Sequence, residues 1–146
     1  MFTKYPAVKN AVILLIIAAA LMAAVVIAVS SLGSKMINAS EIGGREKYLK
    51  SLGWEIDTSS EECREITLPR EFDGIMADYA EMQREQGFEL SDFAGLDCKQ
   101  YTYTVTNYDY DSPVYATLYV RGRRVIAGDI HSAAIDGFMH GIRSAE

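Results

Sequence analysis

A chain of 146 residues has room for one ordinary domain and little else. Its formal charge of −6 is unevenly spread: all twenty Asp and Glu lie at or after Glu41, and the first forty residues carry only Lys4, Lys9 and Lys35. Residues 41–146 thus set eleven Lys and Arg against twenty acids, a formal charge of −9. A domain this acidic repels nucleic acid, which argues against such a partner.

The first element is an apolar helix. From Ala11 to Val29 nineteen residues run without a charge or a strongly polar side chain. At about 1.5 Å per residue they cover roughly 28 Å, close to the hydrocarbon thickness of a bilayer. The expected organisation is a cytoplasmic tail at 1–10, a transmembrane helix at 11–31, a linker at 32–40 and an extracytoplasmic domain at 41–146. Lys4, Lys9 and the free amine keep the tail inside, while a long domain translocates largely regardless of its charge. The rival is a cleavable signal peptide, cut after the small residues at Ala28-Val29-Ser30, although signal h-regions are usually shorter. Ala19 with Ala23, Ala20 with Ala24 and Ala24 with Ala28 give the four-residue spacing that lets helices approach in lipid.

Ser40 is a candidate helix cap, and Ile42, Tyr48, Leu49 and Leu52 form a helical stripe that ends at Gly53. Trp54 to Asp57 alternates as a short strand, the polar run Thr58 to Glu62 turns the chain, and Cys63 to Leu68 forms a second strand stopped by Pro69. Phe72, Ile75, Met76, Tyr79 and Met82 recur at spacings of three and four, which predicts a helix ended by Gly87 with Phe88 folding back on it. Cys98–Tyr108, Val114–Arg121 and Val125–Ile130 are three further strands joined by short turns, an antiparallel meander. The expected fold is α+β, with two helices on one face of an antiparallel sheet of about five strands. Trp54, Phe72, Ile75, Tyr79 and Leu118 are the expected core.

Several short strings stand out together: Tyr48-Leu49-Lys50-Ser51-Leu52-Gly53-Trp54-Glu55-Ile56-Asp57, Glu71-Phe72-Asp73, Gln86-Gly87-Phe88-Glu89-Leu90-Ser91, Tyr101-Thr102-Tyr103, Gly128-Asp129-Ile130 and Met139-His140-Gly141. Together they resemble an uncharacterised domain-of-unknown-function family of small membrane-anchored proteins from Gram-positive bacteria, over roughly residues 45–141. The resemblance implies a compact domain behind an N-terminal anchor and supplies no catalytic residues.

Asp129, His131 and His140 are the candidate catalytic set. Asp129 and His131 lie two apart on a strand and share a face, and His140 or Asp136 would supply a third group. No second ligand pair stands at a fixed spacing, so neither a metal nor another cofactor is expected. Cys63 and Cys98 are a candidate disulfide in an oxidising compartment. Tyr115 and Tyr119 lie opposite the aliphatic set Val114, Ala116, Leu118 and Val120, so they are expected to point away from the helices as a binding surface. The functional expectation is a membrane-tethered binding or sensing module with a protein or envelope partner. The alternative is a cell-envelope enzyme, a hydrolase using Asp129, His131 and His140. Membrane fractionation and a topology reporter fused after Glu146 test the anchor. An integral protein with its C-terminus outside is expected. A reporter active only in the cytoplasm reverses the orientation, and a mature product beginning near Ser31 replaces the anchor by a signal peptide.

Overall fold

The computed structural model describes residues 16–19 and 37–143. The chain divides into two units, Met1–Met36 and Ile37–Glu146. In the first, residues 16–19 are helical, and the remainder of the expected span 11–31, with its tail and the start of the linker, lies outside the described residues. Among the described residues no helix is long and apolar enough to cross a membrane.

The second unit is α+β. Its elements are α1 (Ile42–Ser51), β1 (Ile56–Thr67), α2 (Gly74–Glu85), a 3-10 turn (Leu90–Phe93), β2 (Asp97–Val105), β3 (Val114–Arg121), β4 (Arg124–Ser132) and β5 (Met139–Gly141). The five strands form one sheet in the order of the chain, every neighbouring pair antiparallel. Both helices stop where a glycine can take a left-handed conformation. At the end of α1, Gly53 has φ +89° and Trp54 N–H bonds the carbonyl of Leu49; at the end of α2, Gly87 has φ +84° and Phe88 N–H bonds that of Gln83. Phe88 turns inward and is buried, as its position after Gly87 predicts. The expected cap at Ser40 is displaced by one residue: Glu41 holds the N-cap position and makes no side-chain cap bond.

The strand count of five stands, but two of its members differ from expectation. Thr58 to Glu62 does not turn the chain; it lies inside the single long strand β1. The register jumps there from Asp57 opposite Thr104 to Glu62 opposite Thr102. The extra residues form a bulge held by hydrogen bonds, Ser59 N–H on the Asp57 carboxylate at 2.9 Å and Thr104 N–H on the Ser60 hydroxyl at 2.8 Å. A polar run is compatible with an edge strand because its side chains can remain in water. The fifth strand is instead the terminal Met139–Gly141, too short to carry an alternation pattern.

The expected aliphatic face of β3 is correct. Val114, Ala116, Leu118 and Val120 are all buried, with Leu118 opposite Gly128 and Ala116 opposite Ile130. Tyr101 and Tyr103 of β2 lie opposite Leu118 and Ala116 and join that core, and Leu49 of α1 closes it. The helices do not share this face. Tyr79 of α2 packs into a second cluster on the opposite face, with Leu68, Leu90, Cys98, Ile126 and Ala127. A register shift between Tyr119 and Val120 pairs them with Ala127 and Val125, which leaves Ile126 unpaired beside Ala127 in the same cluster.

The phase of α2 also departs from the apolar spacing. Ile75 is 86% exposed, whereas Gln83 is fully buried. β5 is short, so Gly128 of β4 has no ladder partner on that side. Gln83 takes its place: its side-chain carbonyl accepts from Gly128 N–H at 2.9 Å and its amide donates to Gly128 C=O at 3.1 Å. Unpaired buried backbone groups are costly, so this bidentate contact sets the rotation of α2 and turns Ile75 outward. Trp54, Phe72 and Tyr79 are half-buried and Leu118 is fully buried.

Arg45 of α1 is buried as well, at 3% exposure. It donates to the Tyr103 hydroxyl at 2.6 Å, the Ala39 carbonyl at 2.9 Å and the Glu61 carboxylate at 2.7 Å, and its guanidinium lies 3.6 Å from the centre of the Tyr101 ring. Tyr103 donates in turn to Glu61. Burial pushes the Glu61 carboxyl up, but Tyr103 and Arg45 outweigh it and hold the group below the usual carboxylate range. Replacing Arg45 by Met keeps most of its volume and leaves Glu61 and Tyr103 without their cation. We expect a loss of about 3–5 kcal/mol in denaturant unfolding, nearer the lower end because Glu61 keeps some contact with water. A depressed carboxyl stabilises the fold above its unfolded pKa, and that contribution is lost as pH falls through the lower folded value. The acid-sensitive component below about pH 4 should therefore shrink in Arg45→Met.

Candidate functional site

Alternation along β4 and β5 decides which candidate residues can meet. Asp129 is opposite Thr117 and His131 opposite Tyr115, which places both on the face that bears Tyr119. His140 is opposite Ile130 and belongs to the other face. The proposed catalytic set is therefore split, and only Asp129 and His131 come together, His131 Nδ1 lying 2.8 Å from Asp129 Oδ1. His140 stacks among aromatic rings, 5.9 Å from Trp54, 5.9 Å from Tyr108 and 5.4 Å from Phe138 between centroids. Its Nε2 lies 3.2 Å from the Tyr108 hydroxyl and its Nδ1 2.9 Å from the Gly141 carbonyl. It closes one end of the core and stands away from Asp129. Asp136 is exposed on the loop before β5.

A third member of the array comes from α2. The Tyr79 hydroxyl donates to Asp129 Oδ2 at 2.6 Å, so both oxygens of a carboxylate that is 2% exposed are engaged. Burial, reinforced by Asp129 and Tyr119, pushes the Tyr79 phenol far above its ordinary range, so it stays protonated as a donor. Tyr79 and Asp129 are fifty residues apart. Nothing in the spacing of α2 reveals the contact, because Tyr79 reads there as an ordinary member of an apolar stripe.

The tyrosine pair is divided as well. Tyr119 sits under α2, its ring edge-on to Tyr79 at 6.0 Å and its hydroxyl accepting from Gln100 Nε2 at 3.0 Å. It faces a helix and supports the second cluster, which corrects its expected role as an open binding residue. Tyr115 is half-buried, and its ring tilts against His131 at 5.7 Å. It lines a groove of about 580 Å3 with Thr102, Thr104, Thr117, Gln100 and His131, bordered by Ser60, Glu62 and Arg64 of β1. The rim charges neutralise each other, Arg64 lying 3.5 Å from Glu62.

Cys63 and Cys98 are free thiols. Cys63 lies opposite Tyr101 and Cys98 opposite Ile66, three rungs apart. Three is odd, so alternation sends their side chains to opposite faces and no disulfide can join them. Burial pushes the Cys98 thiol up, which favours an inert role. Cys98 and Tyr101 also border a hollow of about 850 Å3 at the end of β1 to β3. Its polar groups satisfy one another, as in Thr67 Oγ1 on Asp97 Oδ1 at 2.6 Å, and no imidazole lines it. Among the described residues no group of three or more His, Cys, Asp or Glu converges to hold a metal ion. The groove with its Tyr79–Asp129–His131 array is the candidate site.

Comparison with known protein families, with curated proteins and with solved structures finds no match to this chain.

Tyr79→Phe removes the hydroxyl that donates to the buried Asp129 carboxylate and keeps the ring contact with Tyr119. Chemical denaturation should show a loss of about 1–3 kcal/mol, the penalty of an unsatisfied buried acceptor. A loss below about 0.5 kcal/mol means that Asp129 finds water instead of tyrosine.

Proposed function

We propose that this domain is a membrane-tethered extracytoplasmic binding or sensing module that takes its ligand in the groove beside Tyr115 and His131. The observation that carries the proposal is the uncovered polar half of one sheet face. α2 covers Tyr119, whereas Thr102, Thr104, Tyr115 and His131 line an open groove. A sheet face that no helix covers must be polar, and this one presents hydroxyls, an amide, an imidazole and an aromatic ring, a mixture suited to specific recognition. The expected span 11–31, apolar from Ala11 to Val29, would hold the domain at the outer membrane surface, in line with the resemblance to membrane-anchored proteins and with the charge asymmetry of the chain.

The second reading is an envelope hydrolase, favoured by the Asp129–His131 contact, which orients an imidazole as a general base. Such an enzyme would work through that dyad without His140.

A photo-crosslinking side chain placed at Thr104 in the full-length protein, expressed in its own cells, tests the binding module. Illumination should give a discrete adduct, and the same group at Arg84 on the exposed side of α2 should not. Equal labelling at both positions, or none at Thr104, rejects the groove as a binding site. Tyr115→Ser should suppress the Thr104 adduct with little change in thermal stability.

A further inference from the structure

The array behind the groove has a direction. The Asp129 carboxylate can only accept hydrogen bonds, and it meets Tyr79 Oη and His131 Nδ1. The phenol must donate to one oxygen, and the imidazole must carry its proton on Nδ1 to donate to the other. The lone pair of the neutral ring is then on Nε2, which has no partner among the described residues, and His131 lines the groove with 27% of its side chain exposed.

The charge behind that lone pair is unbalanced. Asp129 is buried, and among the described residues no lysine or arginine lies within ion-pair distance of it; the neutral His131 imidazole is the basic group it meets. The groups around His131 are Tyr79 from α2, Tyr115 from β3, Asp129 from its own strand, and Glu62 and Arg64 from β1. Arg64, the one Lys or Arg at the groove among the described residues, is drawn to Glu62 and does not compensate Asp129. A buried carboxylate without a cationic partner favours a positive charge nearby, and the groove is where one can approach. Tyr115 places an aromatic ring against the His131 imidazole, and a cation within about 6 Å of such a face is further attracted. We infer that the groove seats a primary ammonium group of its ligand, which donates to His131 Nε2 with the Asp129 charge behind it and the Tyr115 ring beside it. An ammonium brings three donors, and the Thr102 and Thr104 hydroxyls are acceptors within the same groove.

This inference rests on the groove being a binding site and names the chemistry it selects. The test uses the full chain in detergent with 15N-labelled histidine. Imidazole spectra should show His131 protonated on Nδ1 with Nε2 unprotonated, and the opposite tautomer overturns the inference. Three probes are then titrated: a Gly-Lys-Gly tripeptide with both ends blocked, the same peptide with its lysine acetylated, and a glucosamine trimer. The lysyl peptide and the amino sugar distinguish two sources of the same ammonium, and a response of His131 Nε2 to either supports the inference. Acetylation should weaken binding about tenfold or more, the loss of one charged hydrogen bond, and His131→Phe, which keeps a ring against Tyr115, should reduce it similarly. If neither ammonium probe moves Nε2, the inference fails. If the acetylated peptide binds in the groove as well as the free one, the ammonium inference fails while the groove remains a binding site. Loss of the Thr104 adduct removes the groove itself.

Discussion

The buried charge of Arg45 ties more of this domain together than any other contact. A guanidinium that is 3% exposed needs a partner for every donor it brings inside. The partners come from separate parts of the chain: the Ala39 carbonyl before α1, the Tyr103 hydroxyl on β2 and the Glu61 carboxylate in the bulge of β1. The bulge is what places Glu61. Between Asp57 and Glu62 the register shift lengthens β1 relative to β2, and Glu61 there meets Arg45 and Tyr103 on the core side. A regular ladder would not supply that carboxylate, and the cation of α1 would then have no charge to balance it. Docking of α1, the path of β1 and the position of Tyr103 are thus one constraint met in three places.

A similar exchange fixes the other helix. β5 pairs with β4 only from Asp129 to His131, so the next residue, Gly128, lacks a strand beside it. Gln83 satisfies both of its backbone groups, and Gln86 adds a second donor to the Gly128 carbonyl at 3.1 Å. α2 therefore docks where the sheet runs out of strand, with Tyr79 reaching over the face opposite α1. Helix packing is decided here by two amides and one carboxylate as much as by apolar area.

The candidate site follows from that placement. α2 covers only part of its face, so Asp129 is sealed beneath Tyr79 while His131, two residues on, reaches the groove. The same strand carries a buried acid and a solvent-facing base within hydrogen-bond reach, and the helix that seals the first leaves the second accessible. Threonines at 102, 104 and 117 fit this boundary, since a β-branched residue suits a strand and its hydroxyl suits a polar lining.

The sequence by itself determined both helices, the three-strand meander of β2 to β4 and one face of the sheet. Gly53 and Gly87 announce helix ends because few other residues take a positive φ. Val114, Ala116, Leu118 and Val120 announce a core face because β side chains alternate strictly. Alternation also puts Asp129 beside His131 and sets Tyr115 against the aliphatics. Tertiary structure alone decided the rest. Which face each helix takes depends on pairing at the sheet edge, and Gln83, a polar residue at an inward position, rotates α2 so that Ile75 leaves the inward stripe while Tyr79 stays in it. Cys63 and Cys98 are separated, and His140 removed from His131, by strand register, which a local pattern does not contain. Tyr79 meets Asp129 across fifty residues, and Arg45 meets Glu61 only because β1 bulges. Local steric rules act over a few residues and can be read along the chain. Satisfying a buried charge or an unpaired backbone group is a demand on the whole fold, and only the folded chain shows which residue meets it.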